Sequence, residues 1–142
     1  MVAPVDWRTG YDDATSLALT ELATLQGEAV RVKDAIGVVN NSIQRLEGLY
    51  EQNRVALADK MRLNNNAAYM ALAEAEAPEV LATLKSDIAT LKALDEGYSN
   101  QLSQLRTDAR VLNQELESLL RNYKENANKL NINDNFAAEL ER

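Results

Sequence analysis

A chain of 142 residues with 22 acidic and 15 basic side chains carries a formal net charge of −7, the wrong sign for a phosphate-binding surface, so nucleic acid is not an expected partner. It has no cysteine and no histidine. That removes disulfides, thiolate metal ligands and the side chain most used for metal binding and neutral-pH proton transfer. No apolar run approaches the ~20 residues of a membrane span, so no membrane partner is expected.

In chain order, residues 1–13 read as an extended leader. Pro4 biases its predecessor away from helix, and Trp7, Gly10 and Tyr11 follow. The first six residues, MVAPVD, lack the charged start and apolar run of a signal peptide. Synthesis in a cytoplasm follows as the expectation, with a virion as a conceivable final location. Asp12 and Asp13 have the chemistry of helix N-caps.

Residues 14–63 are expected to form a first long helix. Its apolar positions alternate in steps of three and four, from Leu22, Leu25, Ala29, Val32, Ile36 and Val39 to Ile43, Leu46, Tyr50, Asn53 and Leu57. Gly27, Gly37 and Gly48 lie off this seam and read as tolerated defects, the alternative being close approach by another chain.

The run Asn64–Asn66 breaks the pattern, and residues 64–78 are expected to be a turn carrying a short helix, with Pro78 suited to the first turn of the next helix. Over residues 79–130 the same alternation runs through Leu84, Ile88, Leu91, Asp95, Tyr98, Leu102, Leu105, Ala109, Leu112, Leu116, Leu119, Tyr123 and Asn126. A seam of period 3.5 is the mark of a coiled coil. Residues 131–142 are expected to be a polar tail with a short helix, capped by Asp134 or Asn135.

Two helices of matched length around a short break predict an all-α fold, a long antiparallel helical hairpin of coiled-coil type, each arm roughly 75 Å long at 1.5 Å per residue. The expected register layers Leu57 on Leu84, Leu46 on Asp95, Leu22 on Leu119 and Thr15 on Asn126. A parallel homo-oligomeric coiled coil is the alternative. Off-seam leucines, Leu49 with Leu94 and Leu19 with Leu120, widen the apolar stripe and suggest assembly into a larger helical bundle.

No catalytic, cofactor-binding or metal-binding residue is expected, because no phosphate loop, nucleophile elbow or metal-ligand spacing occurs. Asp95, Asn53 and Asn126 read as polar seam residues that specify register or oligomer state, in preference to a catalytic or metal-binding Asp95. Glu74, Glu76 and Glu79 read as a solvated acidic cluster at the turn rather than a cation site. Trp7, Tyr11, Phe136 and Leu140, in the two tails, are candidate partner-docking residues. Tyr69, Met70 and Leu72 are the candidate gripping surface at the turn. The expected function is a non-enzymatic structural or assembly protein, a scaffold within a large complex such as a phage virion or tail, with protein partners and self-association. The alternative is a holding chaperone or export-apparatus adaptor that grips clients at the turn.

Overall fold

The computed structural model describes residues 13–142; the leader, with Trp7 and Tyr11, lies outside them. The described chain is all helical: α1 (Asp13–Asn64), α2 (Ala67–Glu76), α3 (Pro78–Lys129) and α4 (Phe136–Glu141). α1 and α3 pack as a long helix pair. Two compact units divide the described chain, the first comprising residues 13–38 with 109–142 and the second residues 39–108.

The helix boundaries follow from local chemistry. α1 ends in the asparagine run, where Asn66 turns extended and its side-chain oxygen accepts from Tyr69 N at 3.0 Å, capping α2. Ala77 ends α2, its N–H donating to Ala73 O at 2.8 Å. The ring of Pro78 disfavours helical backbone at the preceding residue, and Ala77 sits at φ −148° and ψ 69°. Pro78 then opens α3, where a missing N–H loses nothing.

α3 closes on a left-handed residue, Asn131, at φ 57°. Ile132 N donates to Ala127 O at 2.9 Å and Asn131 N to Asn128 O at 3.1 Å, the paired bonds of a Schellman cap. Ile132 and Ala127 both join the core of the first unit, the apolar contact that accompanies such a cap. Asparagine tolerates this backbone and β-branched residues do not. Asn131→Val is therefore expected to lower stability by about 1–2 kcal/mol, and Asn131→Gly to leave it unchanged or raise it, as read from urea unfolding.

The first unit is a three-helix core. Leu22, Ala29 and Ile36 from α1, Leu116, Leu120, Tyr123 and Ala127 from α3, and Ala137 from α4 are buried together. Ala29 is completely inaccessible and Leu120 and Tyr123 are each 2% exposed. Leu120 lies one residue off the expected seam, yet is better covered than Leu119. Its cover comes from α4, whose Leu140 lines a shared groove with Leu116 and Leu120. The tail therefore accounts for this off-seam leucine without a second chain.

The second unit is a helical hairpin in its own right, with α2 at the turn. Leu46, Ala73, Leu84, Ile88 and Leu102 are buried, together with one polar residue, Asn53. Asn53 Nδ2 donates to Leu91 O at 2.9 Å, and no buried side-chain nitrogen or oxygen among the described residues lacks a hydrogen-bond partner.

Cross-helix bonds correct the expected register. In the second unit Lys60 pairs with Asp87 at 3.3 Å and Glu47 with Arg106 at 3.1 Å. In the first unit Gln26 Nε2 donates to Tyr123 OH at 3.0 Å. All three fit a register one heptad away from the expected one. Leu46 then stands level with Leu102, both buried, and the polar Asn53 and Asp95 share a level, relieving Leu46 of a carboxylate. The Thr15–Asn126 layer is lost. Asn126 instead donates to Asn122 O on its own helix at 2.9 Å and lines a groove with Thr20, Thr24 and Leu25. The five described ion pairs join side chains 40–79% exposed. Each contributes at most about 1 kcal/mol, so they report the register more than they enforce it.

A Cβ built on Gly27, Gly37 or Gly48 meets nothing within 4 Å. The glycines are thus not required by packing within this chain. Each Gly→Ala change is expected to raise stability by about 0.5–1 kcal/mol, measured as a shift in denaturation midpoint at unchanged slope.

Candidate functional site

Three surfaces carry the residues singled out by the sequence, and each lies within one unit. In the first unit, α4 folds back so that Phe136 meets Tyr123 with ring centroids 4.9 Å apart and planes tilted by 57°. Such a tilted pair adds about 0.5–1.5 kcal/mol beyond area burial. Phe136 and Leu140, expected as docking residues, are half-buried against their own core. Lys124 Nζ, 2.7 Å from Glu141 Oε1, ties α4 to α3.

Beneath them the Tyr123 hydroxyl donates to Asp134 Oδ2 and accepts from Gln26. Asp134 Oδ1 in turn accepts from Phe136 N at 3.3 Å, while Asn135 holds the N-cap position with no side-chain bond. The Tyr123 hydroxyl is pushed above its ordinary pKa of 10.0, first by burial and then by the bond to Asp134. This three-element network was missed in the sequence, where Tyr123 reads as one more seam residue. The available signal was chemical: a tyrosine on a mostly aliphatic seam needs a partner for its hydroxyl once buried.

In the second unit, Tyr69 and Met70 are half-buried while Leu72 stays 58% exposed on the outer side of α2. Tyr69 lines a cleft of about 210 Å³ with Leu63, Val80, Thr83 and the Lys60–Asp87 pair. Leu72, one turn on from Tyr69, does not line it.

On the other side of the helix pair, half-buried Asp95 lines an open groove with Glu51, Arg54, Val55, Leu57 and Ala58. The Arg54 guanidinium sits 5.3 Å from the Tyr50 ring centroid, a cation–π contact. Glu74, Glu76 and Glu79 do not converge, and among the described residues no group of three acidic side chains could hold a metal ion. No described helix is long and apolar enough to cross a membrane. No family model, curated protein or solved structure matches the chain.

Proposed function

We propose that this chain is a non-enzymatic coiled-coil protein that acts as a structural or assembly component of a larger complex, a phage virion or tail being the most concrete setting. The observation that carries this reading is where the long helices bury side chains. Leu22, Ala29 and Ile36 recur every seventh residue along α1, as do Leu46 and Asn53, and on α3 Leu102, Leu116 and Tyr123 keep whole-heptad spacing. Such spacing devotes the inward stripe to helix pairing and leaves the outward faces for partners. Asn53, Asp95 and Asn126 are proposed to specify register and oligomer state. Trp7, Tyr11, Phe136 and Leu140 are proposed as the docking group, Phe136 and Leu140 acting partly by shaping the surface around α4.

The test is sedimentation of particles from cells making the protein. The chain is expected in fixed stoichiometry with a large particle, and Trp7→Ala is expected to release it. A chain that stays in the unsedimented fraction would overturn the reading.

The second reading, a holding chaperone or export adaptor, is favoured by one observation, the exposed Leu72 on α2. It predicts that the purified chain suppresses light scattering from a thermally unfolding enzyme and that Leu72→Glu abolishes the effect. Absence of suppression at several-fold molar excess would dismiss it.

A further inference from the structure

The two outer faces of the second unit differ in character. One carries the Glu47–Arg106 pair and the groove of Glu51, Arg54 and Asp95. The other carries four partly exposed aliphatic side chains, Leu49 at 39%, Leu63 at 37%, Val80 at 39% and Leu94 at 41%. Leu49 and Leu63 lie two heptads apart on α1, and Val80 and Leu94 lie two heptads apart on α3, so each pair shares a helix stripe. Leu63 and Val80 line one cleft with Lys60 and Asp87, which fixes their common face. In the antiparallel register the four form two pairs, Leu49 with Leu94 and Leu63 with Val80, each staggered by about 7.5 Å along the hairpin and the pairs about 21 Å apart at 1.5 Å per residue.

From this we infer that the Leu49–Leu63–Val80–Leu94 face is where a second copy of the same chain docks about a two-fold axis. Two features select a second copy over another partner. The face is self-complementary, because each pair offers one aliphatic from each helix with the same stagger, so a two-fold mate presents the same spacing in return, as an isologous contact demands. The face is also electrically neutral in a chain of net charge −7. Its two ion pairs, Lys60–Asp87 and Arg62–Asp59, cancel internally, and the flanking Arg45 and Glu79 are opposite in sign. Two like-charged copies meet here with the least repulsion. Thr83, Ser86, Thr90 and Ala93 on α3 are exposed, small and uncharged, so helices can approach closely. The inference gives the assembly role proposed above its first partner and rests on that reading. The two fail in different measurements, since solution mass reports the dimer and co-sedimentation reports the larger complex.

The experiment is sedimentation equilibrium on the full chain from about 1 to 100 µM, with circular dichroism on the same samples. The wild type is expected to be a dimer, and the double variant L49E/L94E a monomer of unchanged helicity, its dissociation constant raised by roughly 100-fold or more. L17E/V111E, which alters residues 61% and 52% exposed in the first unit, is expected to dimerise like the wild type. Should L49E/L94E lose helicity, Thr90→Arg, at an exposed position on the same face, must give the monomer instead. A wild type that is monomeric throughout, a dimer unaffected by the substitutions on this face, or a dimer dissolved by L17E/V111E would each overturn the inference.

Discussion

Tyr123→Ala is expected to remove about 3–5 kcal/mol of stability, enough to unfold much of a marginally stable domain. The ring is 2% exposed, sits within the three-helix core and holds Phe136 in a tilted aromatic pair. Its loss leaves a cavity where α1, α3 and α4 meet and frees α4 from one of its apolar contacts. Tyr123→Phe separates the ring from the hydroxyl. It keeps the packing and removes the bonds to Gln26 and Asp134, so it is expected to lower stability by only about 1 kcal/mol, since the exposed Asp134 regains water.

The same pair of proteins carries a pH signature. The hydroxyl is raised in the folded state, by burial first and by Asp134 second, so the folded chain holds that proton more tightly than the unfolded chain. Stability from this source is complete below the unfolded value of 10.0 and is lost as pH rises through the folded one. Urea midpoints of wild type and Tyr123→Phe, compared from neutral pH to above pH 10, are expected to converge on the alkaline side. A constant gap would contradict the network.

Leu120→Ala is expected to lower stability by about 2–5 kcal/mol, the range for truncating a buried leucine. Leu120 is only 2% exposed. Leu49→Ala, at a position 39% exposed, is expected to change the stability of the isolated chain by no more than about 0.5 kcal/mol. The contrast is informative because sequence spacing puts Leu49 and Leu120 in the same class, both off the seam. Equal effects from urea denaturation would mean that α4 does not cover Leu120.

That contrast marks where the sequence is legible. Helix type and extent follow from the unbroken three-four alternation, and the turn follows from three asparagines and Pro78, since these features act through neighbours in the chain. The register does not follow. A seam of period seven fits itself equally well after a shift of seven, so apolar pattern alone cannot choose. The choice rests on where the few polar seam residues go. Pairing Thr15 with Asn126 looks favourable in isolation, but it puts Leu46 against Asp95. The observed packing levels Asn53 with Asp95, and Asn53 meets its hydrogen-bonding need at Leu91 O.

The tail is the other illegible part. Nothing local to Leu120 says that a six-residue helix will return to cover it, and Gln26, Tyr123 and Asp134 become partners only after α1, α3 and the tail have converged. For the expected docking residues this changes the physical picture. Phe136 and Leu140 give part of their surface to their own core, so a partner at α4 meets a packed, pre-shaped patch rather than free aromatic anchors. At the turn, Tyr69 gives part of its surface to the Leu63–Val80 cleft while Leu72 stays exposed.

The antiparallel register of the second unit is most directly tested by thiol crosslinking. The native chain has no cysteine, so introduced pairs react without background. With a short bifunctional thiol reagent, E47C/R106C is expected to crosslink rapidly within one chain, as the Glu47–Arg106 pair at 3.1 Å requires, while E47C/K92C, neighbours only in the register that pairs Thr15 with Asn126, is expected to react far more slowly. Rapid reaction of E47C/K92C with none of E47C/R106C would restore the register suggested by the Thr15–Asn126 match, and crosslinks formed only between chains would contradict the helical hairpin itself.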